Sequence, residues 1–359
     1  MTTQSARSLV EDTDGAIRIL DQRLLPFSLV WVRVDSMAVA AQAIREMWCR
    51  GAPLLAAVGA YGLTMALEKD AENSNLHRAH QTLLETRPTA VNLRWALDRV
   101  RDGVVGLPPE QRAAVARAIC RDICEEDVVM NHAIGRHGLP LIAEISARKK
   151  PGEVVNILTH CNAGRLATIA WGTALAPLYL AHAQGVKVHV WVDETRPRNQ
   201  GASLTAWELA DAGIPHTLIC DNAGGLLMQQ GKVDLCVVGV DRVTANGDAC
   251  NKIGTYLKAL AAKDNQVPFY VALPLPTFDA SLAHGGLIPI EERSADELTT
   301  MHGIDAEGKP ASVRIVGTPA TAISNPGFDV TPARLVSGYI TEKGILKAGE
   351  LVANMDFKH

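Results

Sequence analysis

The stretch VVNILTHCNAG, residues 154–164, predicts the point at which the sheet of this protein presents its reactive groups. Its apolar run ends at Leu158, and polar side chains follow up to Cys161 and Asn162. This order is typical of a buried parallel strand before its crossover helix, which we expect to begin near Ala163. Ligands of open α/β sheets collect outside the carboxyl ends of the strands, so Cys161 is a candidate for chemistry. An isolated cysteine is more often a buried structural thiol.

Apolar runs and helical patterns alternate from residue 151 onward. We expect parallel strands at Val154–Leu158, Lys187–Val192, Pro215–Ile219, Val233–Val240 and Pro268–Ala272, and helices that begin near Ala163, Gly201, Asn222 and Asn251. This alternation predicts an α/β fold with a Rossmann-like, doubly wound parallel sheet. No G-x-G-x-x-G motif follows a strand and no Walker loop occurs, which argues against a nicotinamide- or ATP-dependent enzyme.

The first 150 residues have a different pattern, which predicts a smaller N-terminal α+β domain. We expect disorder over residues 1–15, an antiparallel hairpin of strands at 16–20 and 28–34, a helix with a cap at Asp35 or Ser36, a helix over Asn92–Val104 and a long helix from Pro109 towards His132. The polar segment Lys149–Gly152 separates the two patterns. We therefore place the domains at residues 1–150 and 151–359.

Composition argues against several classes of protein. The chain has 359 residues, of which 47% are hydrophobic, 21% charged and 4% aromatic, and its net charge is -4. We expect neither a nucleic-acid surface nor a membrane-spanning segment, because no basic block and no sufficiently long apolar run occurs. Seven scattered cysteines and a polar N-terminus without a signal core favour a cytoplasmic location.

The segment Arg50-Gly51-Ala52-Pro53 predicts an anion site at the start of a helix. Gly51 frees the backbone, and Pro53 suits the first helical turn. The exposed N–H groups of a helix start bind anions, and the Arg50 guanidinium can hold a phosphate through two hydrogen bonds. The same residues also fit a plain helix start with a surface arginine.

Polar clusters follow several predicted strands, and in a parallel sheet they line one crevice. Lys252, which we place at a helix start, suits a phosphate group. Asn251 and Gln200 can orient sugar hydroxyls through amide hydrogen bonds. Each of these side chains also fits a cap or a solvated surface. No spacing of cysteine and histidine predicts a metal site, and we expect no cofactor.

Asp241 directly follows an apolar strand. Loss of water at such a place raises the pKa of a carboxyl group enough to retain a proton near neutral pH. An ion pair with Arg242, Arg196 or Lys252 would lower that pKa instead. Together with Cys161, the aspartate predicts proton or hydride chemistry, so the residues alone indicate an enzyme that holds a sugar phosphate.

Five segments resemble the methylthioribose-1-phosphate isomerase family, the aldose–ketose isomerases of methionine salvage. They are RGAP (50–53), THCNAG (159–164), ETRPRNQGASLTAWEL (194–209), GVDRVTANGDACNKIGTY (239–256) and PFYVALPLPTFD (268–279). The resemblance implies a homodimer that converts 5-methylthio-α-D-ribose 1-phosphate to 5-methylthio-D-ribulose 1-phosphate. It also implies roles for residues. Cys161 and Asp241 match the catalytic pair, with the aspartate as proton donor, and the substrate-binding positions are Arg50, Gly51, Ala52, Arg94, Gln200, Asn251 and Lys252.

A phosphate on C1 locks the sugar ring, so an acid must help the ring oxygen leave before hydrogen moves from C2 to C1. The hydrogen moves either as a proton, with a Cys161 thiolate as base and an enolate intermediate, or as a hydride in a pocket that excludes water. The sequence leaves both routes open.

Two other functions also stay open. A sibling isomerase would act on ribose 1,5-bisphosphate or 5-deoxyribose 1-phosphate, and would differ in the pocket wall that faces C5. The superfamily also contains regulatory subunits of the translation-initiation nucleotide-exchange factor, which lack the catalytic pair. A non-catalytic sugar-phosphate-binding subunit is therefore the alternative of a different class.

Overall fold

An antiparallel sheet and a group of helices form the first part of the protein in the computed structural model, which describes residues 7–87, 90–318 and 320–354. Their bounds are β1 Leu9–Glu11, β2 Ile17–Leu20, β3 Trp31–Val34, α1 Met37–Arg45, α2 Ala52–Lys69, α3 Asn73–Leu84, α4 Val91–Val104 and α5 Pro109–Arg148. Most of their buried apolar side chains share one core. The predicted hairpin is confirmed, because β2 and β3 pair antiparallel with Ile17 opposite Val34. Ser36 caps α1 by accepting a hydrogen bond from the Val39 N–H.

The expected disorder of residues 1–15 is wrong for the part that the structure describes. Leu9–Glu11 form β1, which pairs antiparallel with β2 and sets Leu9 opposite Ile19. The Leu9 side chain is buried in the core. Burial of apolar surface stabilises an ordered third strand here, where a polar composition alone suggests a free end. Residues 1–6 lie outside the described residues.

A seven-stranded sheet organises the second part of the chain. The strands of this part, which include those of smaller sheets, are β4 Val155–Thr159, β5 Val188–Asp193, β6 His216–Ile219, β7 Leu235–Val238, β8 Arg242–Thr244, β9 Ala249–Lys252, β10 Phe269–Ala272, β11 Phe278–Asp279, β12 Thr300–Ile304, β13 Pro310–Arg314, β14 Phe328–Thr331, β15 Gly338–Thr341 and β16 Gly344–Leu346. The helices are α6 Ala176–Ala183, α7 Ala206–Asp211, α8 Ala223–Gln229, α9 Thr255–Asp264 and α10 Asp296–Thr299.

The strand order of this sheet is β16-β15-β10-β7-β4-β5-β6. All neighbours are parallel except β15 and β16. The five strands predicted from the sequence are adjacent in it, so the predicted α/β fold with a parallel sheet is confirmed. A smaller sheet, β11-β8-β9-β14, covers one end. No helix in the described part of the chain is long and apolar enough to cross a membrane.

The helix expected near Ala163 is wrong, because a loop intervenes and α6 begins only at Ala176. Gly172 in that loop has a φ of +78° and approaches the backbone of Gly164 closely. A Cβ added at Gly172 would lie 2.4 Å from the Gly164 Cα. This packing of backbone on backbone keeps the segment out of a helix and holds it beside the end of β4.

Helix α5 has 40 residues and continues well beyond its predicted end near His132. Gly138 allows α6 to approach, since a Cβ there would lie 2.5 Å from the Pro177 Cγ. The first half of α5 supplies Cys120 to the first core, and the second half supplies Ile142 to the core beneath the parallel sheet. One helix therefore belongs to both cores. The division into domains at residues 150 and 151 stays a prediction.

Asp127 joins α5 to the loop that follows β4. Its buried carboxylate accepts hydrogen bonds from the Ile169 N–H at 2.7 Å and from the Asn131 amide at 2.8 Å. Burial raises the pKa of Asp127 to about 7, although both hydrogen bonds oppose the rise. The native state thus binds this proton more tightly than the unfolded chain does. The contribution of Asp127 to stability therefore falls as pH rises from about 4 to about 7.

We expect Asp127→Asn to remove this pH dependence. The amide oxygen can still accept the Ile169 N–H, but no carboxyl remains to ionise. Between about pH 5 and about pH 8 the variant gains on the order of 2 kcal/mol of unfolding free energy relative to the wild type. Urea unfolding at both pH values measures the gain, with the exposed Asp264→Asn as control. An equal difference at the two pH values would contradict the assignment.

Candidate active site

A cleft of about 660 Å³ opens at the carboxyl ends of β4, β5 and β7, against the start of α2. A second cavity of about 520 Å³ adjoins it and shares part of its wall. Eight of the nine predicted site residues line the cleft, namely Cys161, Asp241, Arg50, Gly51, Ala52, Gln200, Asn251 and Lys252.

Cys161 follows β4 in a left-handed backbone conformation, with a φ of +66°. Its N–H donates to the Thr195 hydroxyl at 2.9 Å, and its carbonyl accepts from the Thr205 hydroxyl at 2.7 Å. The thiol donates to the Gln200 amide oxygen at 3.2 Å. An uncommon backbone conformation persists only where neighbours enforce it, and these hydrogen bonds do so. The loop therefore presents the thiol to the cleft in one fixed position.

Arg50 links the start of α2 to the loop after β4. Its buried guanidinium donates to the side-chain oxygen and to the carbonyl of Asn162, each at 2.5 Å. The Asn162 amide donates in turn to the buried Glu208 carboxylate at 2.7 Å. Burial lowers the pKa of Arg50, and the charges of Cys161 and Glu208 oppose that effect. Arginine stays protonated in proteins, so the cleft wall has a fixed positive charge.

Gly51 and Ala52 bring the start of α2 to the edge of the cleft. Gly51 has a φ of +96°, and an added Cβ would lie 2.4 Å from the Ala167 Cα. A side chain at this position would be both strained and obstructed. The first N–H groups of a helix have no partner within it, so this end of α2 suits an anion.

Asp241 borders both cavities. Burial raises the pKa of the Asp241 carboxyl, and the charges of Lys252 and Arg87 oppose the rise. This is the direction that the preceding apolar strand predicts. Arg242, one of the ion-pair partners considered from the sequence, pairs with Asp279 at 3.4 Å. A carboxyl that retains its proton beside a ligand cleft is a candidate acid.

Asn251 and Lys252 lie on β9, so the helix expected to begin there is wrong. β9 pairs antiparallel with β14, with Lys252 opposite Phe328, and α9 begins only at Thr255. The Lys252 ammonium donates to the Gly327 carbonyl at 2.9 Å and lies 4.4 Å from the centroid of the Phe328 ring. Burial lowers the pKa of Lys252. Pairing with β14 thus holds the ammonium at the cleft more rigidly than a helix start would.

Arg94 does not line the cleft, because its side chain is exposed on α4. Sequence analysis missed Arg87, which borders both cavities. Among the described residues, the buried Nε and Nη1 of Arg87 have no hydrogen-bond partner, and its Nη2 lies 3.8 Å from Glu291. Buried donors of this kind suit an anionic ligand. Arg87 stands just before α4 as Arg50 stands before α2, and that parallel is the signal that could have found it.

The site thus combines a cationic half with a reactive pair. Arg50, Arg87 and Lys252 offer positive charge to a phosphate, and the start of α2 adds N–H donors. Cys161 and Asp241 lie in the same cleft, where burial raises the pKa of each. Such an arrangement can hold a phosphorylated sugar and deliver a proton to it.

Comparisons with known proteins agree with this chemistry. Residues 49–348 match the model of the Initiation factor 2 subunit family. The chain is 58% identical over 337 residues to a methylthioribose-1-phosphate isomerase of Rhizobium meliloti, covering 92% of each chain. It is also similar to the crystal structure of 5-methylthioribose 1-phosphate isomerase from Pyrococcus horikoshii, with a TM-score of 0.82, 35% identity and coverage of 98% of this chain and 96% of that one. A structure of translation initiation factor eIF-2B subunit delta from A. fulgidus matches with a TM-score of 0.78, 37% identity and coverage of 97% and 98%.

Burial raises the pKa of the Cys161 thiol, and the charges of Arg50 and Lys252 oppose the rise. We expect Lys252→Met to move the pH profile of Cys161 alkylation by iodoacetamide to higher pH, because one opposing charge is lost. Peptide mass spectrometry measures the rate, with the exposed Cys220 as internal reference. Lys232→Met, which removes an exposed lysine, should leave the profile unchanged. The same profile in both variants would refute this electrostatic coupling.

Proposed function

The chain belongs to the Initiation factor 2 subunit family, and we propose that it is a methylthioribose-1-phosphate isomerase of methionine salvage. The reaction converts 5-methylthio-α-D-ribose 1-phosphate to 5-methylthio-D-ribulose 1-phosphate. It is an intramolecular oxidoreduction, in which C2 is oxidised and C1 is reduced. The observation that carries the proposal is the convergence of a thiol, a carboxyl and three cations on one cleft.

Substrate binding is assigned to the cationic half of the cleft. The C1 phosphate accepts hydrogen bonds from Arg87 and Lys252 and from the start of α2 at Gly51 and Ala52. The unpartnered donors of Arg87 support this assignment, because a phosphate would supply the acceptors that they lack. Gln200 and Asn251 are amides at the same cleft and hold the sugar hydroxyls.

Ring opening requires an acid, and Asp241 is the proton donor. Burial raises the pKa of this carboxyl, which favours its protonated form near the ring oxygen. As the bond between C1 and the ring oxygen breaks, that oxygen takes the proton and becomes a hydroxyl, and Asp241 becomes a carboxylate. C1 is then electron-poor and keeps its phosphate.

Transfer of hydrogen from C2 to C1 is best supported as a hydride shift. The raised pKa of Cys161 keeps its sulfur as a thiol, which is a poor base for the enolate route. The hydrogen moves to C1 with its electron pair, C2 becomes a carbonyl, and its hydroxyl proton passes to the Asp241 carboxylate. Asp241 thus regains the proton that it gave to the ring oxygen, and no second base is required. The Cys161 thiol lies beside the reacting carbons and donates its hydrogen bond to Gln200, the amide that we assign to the sugar hydroxyls.

The second cavity supports a methylthio group at C5 over a second phosphate. Leu55, Ile288, Pro289 and Phe328 provide apolar surface to its wall. Its two arginines are already engaged, because Arg87 is assigned to the C1 phosphate and Arg242 pairs with Asp279. Burial of an apolar methylthio group against such side chains is favourable, whereas a phosphate dianion would lose its hydration there. Ribose 1,5-bisphosphate is accordingly the poorer substrate.

Four further properties are proposed with this function. The second part of the chain, residues 151–359, is a Rossmann-like catalytic domain, and the order of its parallel strands supports a doubly wound arrangement. Residues 1–150 form the smaller N-terminal domain. The protein is a homodimer and resides in the cytoplasm, as the sequence resemblance and the cysteine pattern respectively imply.

We expect the purified protein to convert 5-methylthioribose 1-phosphate, with turnover followed by phosphorus NMR. Asp241→Asn lowers kcat by about 10²- to 10⁴-fold, because an amide cannot donate the proton to the ring oxygen. Cys161→Ala lowers kcat as well, and the exposed Cys220→Ala is the matched control. Turnover of ribose 1,5-bisphosphate or 5-deoxyribose 1-phosphate in preference would favour a sibling isomerase. Binding of sugar phosphates without any turnover would favour the regulatory-subunit alternative.

The route of hydrogen transfer is tested by running the reaction in deuterated water. A hydride shift carries the original hydrogen to C1, so we expect a product without deuterium at that carbon. Proton NMR of the C1 methylene measures its deuterium content. Deuterium at C1 would reject the hydride shift and restore Cys161 as the base of an enolate route. Loss of the deuterium at C1 in the Cys161→Ala variant would then confirm that role.

A further inference from the structure

We infer that His160 is a positioning residue that is held as an imidazolium cation and ties together the three loops that carry the reactive and binding side chains. It lies directly before Cys161, at the end of β4, and its side chain is fully buried. The role that we assign to it rests on the proposed function. Its charge state rests on the surrounding hydrogen bonds alone.

His160 bridges the loops that follow β4, β5 and β9. Its Nδ1 lies 2.8 Å from a carboxylate oxygen of Asp193, at the end of β5. Its Nε2 lies 2.8 Å from the carbonyl oxygen of Ile253, which directly follows Lys252. Three segments of backbone that present Cys161, Gln200 and Lys252 thus meet at one imidazole ring.

The partners of the ring determine its protonation. The Ile253 carbonyl can only accept a hydrogen bond, so Nε2 must carry a proton. The Lys258 ammonium lies 3.2 Å from Asp193 and favours its carboxylate form, which also accepts, so Nδ1 carries a second proton. Burial raises the pKa of the Asp193 carboxyl, and the hydrogen bond from His160 and the charge of Lys258 oppose the rise.

The charges around the ring favour the same state. Asp193 faces it directly, Asp221 lies 3.8 Å from Nδ1, and Asp329 lies beyond the Gly254 N–H, which donates to it. Among the described residues, Lys258 is the one lysine or arginine that forms an ion pair with these three carboxylates, and its ammonium lies 3.2 Å from Asp193. A neutral His160 would leave the cluster with a net charge of about -2, and an imidazolium reduces it to about -1.

The cluster resembles a metal site but has another occupant. Ligand-type atoms of His160, Asp193 and Asp221 lie within 4.8 Å of one another. The Lys258 ammonium, however, contacts the Asp193 carboxylate and donates to the Asp221 carbonyl. Asp221 is further engaged by the N–H groups of Thr195 and Arg196, each at 2.7 Å. A lysine ammonium thus supplies the positive charge that a metal ion would bring.

The carboxylates around His160 also position the backbone of Cys161. Asp221 fixes the backbone of Thr195, whose hydroxyl accepts the Cys161 N–H. The backbone of Gly254 packs closely against the His160 ring, since an added Cβ there would lie 2.9 Å from it. Displacement of the ring would therefore shift the reactive thiol and the Lys252 ammonium relative to each other. A misplacement of about 1 Å can cost a factor of about 10² in rate.

The charge state is tested by NMR of the full-length protein labelled with ¹⁵N in histidine. We expect the His160 ring to show two protonated nitrogens at neutral pH. The signal is assigned by its absence from His160→Gln. If that variant does not fold, the change of the signal in Lys258→Met assigns it instead. One unprotonated ring nitrogen at neutral pH would overturn the inference, whether or not the protein has isomerase activity.

The positioning role is tested by charge-balanced variants in the isomerase assay. We expect His160→Gln to lower kcat/KM by about 10²-fold. The double variant His160→Gln/Asp193→Asn should recover about tenfold of this loss, because two amides can form the hydrogen bond and the net charge of the cluster returns to about -1. His302→Gln, on the exposed β12–β13 hairpin, is the control. Additive losses in the double variant would overturn the charge-balance argument. An inactive wild type would reject the proposed function, and the NMR result would still decide the charge of His160.

Discussion

The bidentate contact between Arg50 and Asn162 is the interaction on which the site depends. A buried guanidinium is costly unless its donors are satisfied, and Asn162 supplies both acceptors at 2.5 Å. Because Arg50 lies two residues before the start of α2 and Asn162 immediately follows Cys161, the contact joins a helix start to a strand end. The cleft wall that we assign to the phosphate and the thiol loop are therefore held by one contact. Neither can move far while the other stays.

Elements that are specified by local apolar runs could be predicted from the sequence. The five parallel strands are short segments rich in apolar and β-branched residues, and every one forms near its expected bounds. The helix starts near Ala163 and Asn251 could not be predicted in the same way. At Ala163 the competing factor is the packing of Gly172 on Gly164, and at Asn251 it is pairing with β14. Both contacts join segments that are separate in sequence.

The same limit applies to the site. The family resemblance and the positions of strand ends predicted nine site residues, and Cys161, Asp241 and six others of that set line one cleft. Arg94 and Arg87 are both arginines near the start of α4, and only the fold shows which one is buried beside the cleft. His160 lies within the most informative stretch of the chain. Its partners Asp193 and Ile253 are 33 and 93 residues away, however, so its role has no local signature.

The sharing of α5 between two cores has a consequence for the way this protein loses its structure. Cys120 in the first half of that helix and Ile142 in the second half are both fully buried, each in a different core. Fraying from either end would remove side chains from a core, and melting of its centre would release both. The helix therefore couples the two halves of the chain into one cooperative unit, so that partial denaturation in which one half survives alone is disfavoured. We therefore expect the two halves of the chain to unfold together.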